Sequence, residues 1–369
     1  MKSWISKPIN PYYFGIISGF ILFSGLPYLI HGAENGVMPF LLIALAVFIV
    51  SAKIVTREKL FVQPQEKLGR LKSAEKVFLA LCIIVVAVYS VELYGQYHLN
   101  RLTAGMAVVL LLYLPRININ LRLILLILII FYVIRIAGEY SRVYLGVYLS
   151  VAIGLFLHFV GNQPQRRWNF DKGLKLLLTT IILLLLPAGI LLVIGFRGED
   201  LSTSFSVGLA VLQEGLGFDV NSNTAYILKY YQTHEFDWFH SFISLIANPI
   251  PRAFWDDKPS TFGAVLSGYY FDVEVDEVFT TLGPGLFGEF YANGGYIVMI
   301  INIVIISVLF NKSWSFIKIS CSGYETSLIF WMLASLSAFL YRGDFLNGMI
   351  NIILRLAPIY AYIYIKKLK

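Results

Sequence analysis

Charge is scarce in this chain. Asp, Glu, Lys and Arg make up 14% of its 369 residues, against roughly a quarter in an ordinary soluble domain. Cysteine is scarcer still: Cys82 lies in an apolar run and Cys321 in a short Lys-flanked connection. Two thiols so placed exclude a disulfide-stapled secreted scaffold, and no structural disulfide is expected. Neither a P-loop nor a glycine-rich dinucleotide fingerprint occurs, so nucleotide-driven work has no support. What is abundant is apolar surface, at 58% hydrophobic and 15% aromatic residues with a mean hydropathy of +0.73. That is more than a water-soluble core of this size hides, which excludes a disordered chain and a cytosolic enzyme and implies a polytopic membrane protein.

A membrane helix needs about 20 mostly apolar residues. Windows along the chain predict ten spans, at 13–30, 36–53, 77–95, 102–115, 119–137, 142–160, 174–195, 283–310, 326–340 and 348–365. The first follows Lys2 and Lys7 without a small-x-small cleavage site and reads as a retained span. The eighth carries Gly288, Gly294 and Gly295, so it is expected to begin as a non-helical or re-entrant segment. Cations in short connections mark the cytoplasmic side. With the N-terminus inside, 20 of the 29 basic residues fall on that side, among them Lys53, Arg57, Lys72, Arg116, Arg122, Arg166, Arg167, Lys312, Lys318, Lys366 and Lys367. Ten spans with both termini cytoplasmic satisfy this pattern. The predicted organisation is therefore seven spans in 1–195, a large extracytoplasmic loop in 196–281 and three spans in 282–369. The seven and the three do not mirror one another, so there is no transporter-type repeat.

The loop of 86 residues far exceeds an ordinary helix connection. It holds 12 acidic against 4 basic residues, a net −8, and so leaves +15 for the rest of the chain. The overall +7, which might suggest nucleic acid, is thus a sum of two opposed surfaces, and no nucleic-acid partner is expected. Aromatics such as Trp238, Phe242, Trp255 and Tyr269 furnish enough apolar surface for the loop to fold. Helical spacing over 223–247 predicts short helices on the outer membrane surface.

Chemistry concentrates in and after this loop. The run from Asn248 to Pro259 contains Pro249, Pro251 and Pro259, which stiffen the backbone, together with Arg252, Lys258, Asp256 and Asp257. A guanidinium suits phosphate oxygens bidentately and Lys258 adds a point charge; pairing of Arg252 with Asp256 or Asp257 is the other reading. Arg342, in Tyr341-Arg342-Gly343-Asp344-Phe345, and Arg197, in Phe196-Arg197-Gly198-Glu199, lie in outer connections where topology does not call for cations. Together these would make a cationic pocket at headgroup depth, where the diphosphate of a lipid-linked substrate sits. Glu289 is an ionisable residue at the head of a span, either functional or satisfied by the helix dipole. His234 and His240 flank aromatics and read as structural, with a role as base the alternative. The acidic turn Asp272, Glu274, Asp276 and Glu277 reads as solvated, and neither metal nor cofactor is expected.

The pattern Ile-Pro-Arg-x-x-Trp-x-x-Lys-Pro at Ile250 to Pro259, then Gly-x-x-Gly-Glu-x-Tyr-x-Asn-x-Gly at Gly285 to Gly295 and the late Arg-Gly at Arg342, resembles the Wzy-type O-antigen or oligosaccharide repeat unit polymerases. The detailed match covers the last two-fifths of the chain, and the remainder fits by topology. Asp256 departs from the pattern, since related sequences often carry Pro there. The resemblance implies an all-α, GT-C-like membrane bundle of about ten helices in the bacterial inner membrane. It implies a glycosyltransferase that moves a growing glycan from undecaprenyl diphosphate to the non-reducing end of an incoming undecaprenyl-diphosphate-linked repeat unit, and it admits a chain-length regulator protein as a partner. Arg252, Arg342, Arg197 and Lys258 would hold the diphosphate, whose charge grows in the transition state. Glu289, Asp257, Asp344 and His240, in falling order, are the candidate bases for the acceptor hydroxyl. An O-antigen ligase shares the donor chemistry and is the nearest alternative; a lipid-linked oligosaccharide flippase would be expected to keep its charges inside the bundle.

Overall fold

The computed structural model describes residues 10–25, 28, 37–55, 71–91, 97–139, 220–255, 257–277 and 281–368. The described residues are helical, with no strand among them. The predicted spans at 142–160 and 174–195 lie outside the described residues, as does Arg197. By chain contacts the protein divides into two units, one from 1–64, 218–320 and 333–354 and one from 65–217, 321–332 and 355–369.

The first unit contains α1 (Pro11–Phe20), α2 (Val37–Val55), α6 (Val220–Tyr230), α7 (His240–Ala247), α8 (Phe262–Phe271), α9 (Leu286–Ala292) and α10 (Gly295–Ser320). It also takes one part each of α11 (Gly323–Arg342) and α12 (Phe345–Lys367). Asn10 caps α1, accepting from the Tyr12 amide, and Pro11 supplies a first helical position that needs no donor. The Asn10 side chain also donates to Asn311 at 2.9 Å, and Tyr12 stacks on Phe310 at 4.1 Å, which docks α1 on α10. Gly15 and Gly19 form a small-xxx-small edge: a Cβ at Gly15 would lie 2.1 Å from the Ala334 carbonyl oxygen, and one at Gly19 2.9 Å from that of Ala338. Backbone contact of this kind is how helices pack when lipid offers no hydrophobic drive. After α1 the chain makes one π-helical turn, Ile21–Gly25, and the Ser24 hydroxyl meets the buried Tyr341 hydroxyl at 2.7 Å.

The second unit holds α3 (Ser73–Val91), α4 (Tyr97–Tyr113) and α5 (Ile119–Glu139), with the other parts of α11 and α12. Its organising feature is a buried polar cluster. Arg116 binds Glu75 with both terminal nitrogens, at 2.5 and 2.9 Å. Glu325 closes a capping box with Ser322 and accepts from Tyr362 and Lys366. Lys72 donates to the carbonyls of Lys366 and Leu368, capping the end of α12. Lys72, Arg116 and Lys366, which the charge pattern groups on one side, thus meet in one unit. Cys82 and Cys321 are buried free thiols.

Three helices among the described residues are long and apolar enough to cross a membrane: α10, α11 and α12. They mark the chain as a helical membrane protein. At 20 residues α11 is about 30 Å long, the thickness of the hydrocarbon. Shorter apolar stretches occupy Val37–Ser51 in α2 and Asn120–Ile129 in α5.

One expectation is corrected here, and another is made specific. The eighth span starts at Gly295 rather than 283, because Gly294 and Gly295 take φ of 140° and 73°, conformations open to glycine that end α9 and start α10. The short helices expected over 223–247 are two, α6 and α7. Between them the amides of Asp237 and Phe239 donate to the carbonyls of Ala292 and Asn293, so tertiary bonds replace helical ones, and Phe239 adopts a left-handed φ of 56° as it enters α7.

Candidate functional site

The glycine-rich segment, α7 and the head of α12 converge on one carboxyl group. Glu289, in α9, has no exposed surface. Its Oε1 accepts from the Ser241 hydroxyl at 2.5 Å and its Oε2 from the Phe345 amide at 2.7 Å. Asn293 closes the network: its side-chain nitrogen donates to Ser241 Oγ at 2.7 Å and to the Glu289 carbonyl at 2.6 Å, and its Oδ1 accepts from the Ser241 amide at 2.9 Å. Burial, followed by the nearby charge of Asp344, raises the Glu289 carboxyl to about 8, while the bonds from Ser241 and Phe345 act the other way.

Asp344 occupies the turn between α11 and α12 and keeps 7% of its surface exposed. Its carboxylate accepts from the Asn347 amide at 2.7 Å and the Asn347 side chain at 2.9 Å, the geometry of an N-cap. Both carboxyl groups therefore serve the first turn of α12, Glu289 through the Phe345 amide and Asp344 through that of Asn347, where the helix dipole favours negative charge. Gly263, at the head of α8, sits close by: a Cβ there would lie 2.7 Å from the Leu282 carbonyl oxygen and 3.5 Å from Asp344 Oδ2. Arg342 ends α11, half-buried, two residues before Asp344.

The other expected site residues fall elsewhere. His240 Nε2 lies 2.8 Å from the Ser260 carbonyl. A carbonyl only accepts, so this nitrogen carries the proton and holds the chain beyond the proline-rich run. Ser244 donates to the same carbonyl at 3.1 Å. Lys258, expected on a diphosphate, turns its ammonium onto the carbonyls of Asn248 at 2.6 Å and Ile250 at 3.0 Å. It closes the proline-rich loop on itself because those carbonyls have no helical partner. Asp257 is exposed in a turn. Arg252 opens a short 3₁₀ turn, Arg252–Phe254; its side chain lies outside the description. Among the described residues no group of three His, Cys, Asp or Glu side chains is placed to hold a metal ion.

A second polar knot stands nearby in the loop. Asp237 accepts from the hydroxyls of Tyr231 at 2.5 Å and Tyr269 at 3.2 Å. Burial, then the charge of Asp237, pushes both phenols above their ordinary range. Sequence reasoning found Glu289 and Asp344 and quoted Asn293 within its motif, but missed Ser241, which no spacing or motif announces. No protein-family model, curated protein or solved structure matches the chain.

Proposed function

We propose that this chain is a membrane-embedded glycosyltransferase of the oligosaccharide repeat unit polymerase type, acting on undecaprenyl-diphosphate-linked glycans at the outer face of the bacterial inner membrane. The observation that supports it best is the 2.7 Å bond from the Phe345 amide to Glu289. It joins the two motif segments, Gly285 to Gly295 and Tyr341 to Phe345, beside the head of a membrane-spanning helix. On this reading the whole chain is a GT-C-like bundle of about ten spans with both termini inside.

In the reaction an acceptor hydroxyl oxygen attacks the anomeric carbon of the donor chain. A C–O bond forms, the bond from that carbon to the diphosphate oxygen breaks, and undecaprenyl diphosphate leaves with the electron pair. The hydroxyl proton needs a carboxylate within reach. Glu289 is sealed and a large part of it retains its proton at neutral pH, so the role of base passes to Asp344, and Glu289 becomes the residue that positions the head of α12. Arg342, Arg252 and Arg197 serve the diphosphate, where bidentate guanidinium contacts suit the charge that grows on the leaving group.

A gel ladder of surface glycan tests this reading. Cells lacking the gene should carry single capped repeat units, and the chain should restore the ladder. Capped units of unchanged length distribution with and without the gene would overturn it, and loss of all glycan from the lipid anchor would favour a ligase.

A further inference from the structure

The helix α7 is amphipathic in the wrong sense for a water-facing loop. It buries Ser241 and Ser244, at 1% and 0% exposure, and presents Ile246 at 76%. The buried hydroxyls are spent inward, Ser241 on Glu289 and Ser244 on the Ser260 carbonyl. The outward Ile243 and Ile246 lie three residues apart, on one face of α7; Phe239 just before the helix and Ile250 just after it extend an exposed apolar strip that Phe254 continues at 84% exposure. From Trp238 to Phe254 the only side chains that ionise are His240 and Arg252. An apolar strip of this length marks an interaction surface.

Its occupant follows from what it adjoins. The Phe239 amide donates to the Asn293 carbonyl at 3.2 Å, and the Trp238 ring lies 3.0 Å from where a Cβ would stand on Gly294. The strip therefore begins where the membrane-spanning α10 begins, and the first turns of α10 also turn Tyr296, Ile297 and Ile300 outward. Trp238 and Tyr296 at this junction are the aromatics favoured at a membrane–water boundary.

We propose that α7 and the turn that follows it are seated in the membrane, with Phe239, Ile243, Ile246, Ile250 and Phe254 against lipid acyl chains. Ser241 then anchors the Glu289 network from a helix that is itself immersed, and Asp344 lies at headgroup depth. A lipid-carried substrate reaches it by lateral diffusion. The inference does not depend on which glycan reaction the chain performs.

The test uses the full-length chain in vesicles of phosphatidylethanolamine and phosphatidylglycerol. Ile246→Cys and Phe254→Cys carry an environment-sensitive nitrobenzoxadiazole label, Gln232→Cys in the exposed turn is the aqueous control, and the unsubstituted chain gives the background from the buried Cys82 and Cys321. Blue-shifted emission at 246 and 254, quenched several-fold more by doxyl-labelled lipid than by iodide, with the reverse at 232, is expected. Iodide quenching at 246 and 254 equal to that at 232 overturns the proposal. So does blue-shifted emission that ignores doxyl lipid and varies with protein density, which would mean that a second copy covers the strip. Both residues are exposed, so labelled variants that reach wild-type levels report on the surface rather than on folding.

Discussion

The Phe345 amide donates to Glu289 Oε2 at 2.7 Å across 56 positions of chain, and this bond fixes where α12 starts relative to α9. A buried carboxyl with two donors on it is both a clasp and a proton store.

The proton has a measurable consequence. The Glu289 carboxyl is raised to about 8 in the folded protein, while a free glutamate titrates near ~4.3. Between those values the native state keeps a proton that the unfolded chain releases, so stability is greatest below the lower value and falls as pH rises through the upper one. Glu289→Gln keeps an acceptor for Phe345 and removes the titration. Thermal unfolding of the purified protein in detergent should show a Tm that declines from pH 5 to pH 8 in the wild type and a flatter profile in Glu289→Gln. Parallel slopes would show that Glu289 does not titrate in this window. Glu289→Ala should be worse at every pH, because it leaves the Ser241 hydroxyl and the Phe345 amide buried without this partner, at about 1–3 kcal/mol for each such group.

The last two spans, α11 and α12, were legible in the sequence to within three residues, whereas α10 starts at 295 rather than 283 and runs on to 320 rather than 310. Apolar length decides such helices, and nothing in their surroundings competes with it. The glycine run was also legible as an interruption, since positive φ at Gly294 and Gly295 is what paired glycines permit. Less visible was anything set by contacts distant in the chain. The periodicity over 223–247 is genuine on either side of the break, but bonds from Asp237 and Phe239 to the end of α9 outweigh local propensity. Ser241 reads as an ordinary polar residue until Glu289, 48 positions away, is brought to it. Lys258 shows the same limit: its charge suggested a substrate contact, and nothing in the sequence announced that its ammonium also donates to the carbonyls of Asn248 and Ile250 in its own loop.

That use of Lys258 predicts a change in proteolysis. Removing the ammonium in Lys258→Ala releases the carbonyls of Asn248 and Ile250, and the proline-rich loop should open. Limited trypsin digestion in detergent should cleave after Arg252 several-fold faster in the variant. Equal rates would mean that the prolines alone hold the loop.

Gly263 offers a steric test of the same region. The nearest atom to an added Cβ is the Leu282 carbonyl oxygen at 2.7 Å, a backbone atom that cannot swing aside, and the Leu282 amide is itself held by Ser267 Oγ at 2.9 Å. Gly263→Ala should cost about 1–3 kcal/mol through overpacking, read as a lowered Tm, and Gly263→Val more. An unchanged Tm in the alanine variant would show that the Thr281–Gly285 segment yields freely.

In the second unit the Arg116–Glu75 pair is nearly inaccessible, with side-chain exposures of 7% and 0%. Breaking such a pair strands a buried charge and costs about 3–5 kcal/mol, whereas replacing both partners by apolar residues is far milder. Arg116→Met alone should lower Tm more than the Arg116→Met, Glu75→Leu double variant. A double variant as damaged as the sum of the single ones would show that the two residues act independently.

The sharpest distinction between structural and chemical roles lies at Asp344. Asparagine caps a helix about as well as aspartate, so Asp344→Asn should preserve the bond from the Asn347 amide and leave protein level and Tm near wild type. It cannot take a proton from a sugar hydroxyl, so the surface glycan should collapse to single capped units. Asp344→Ala removes the cap as well, and should add a fall in stability of about 0.5–2 kcal/mol to the same loss of ladder. If Asp344→Asn instead supports a full ladder, the carboxylate does no chemistry and Asp344 is a cap alone. The base must then be sought among groups that α12 does not position.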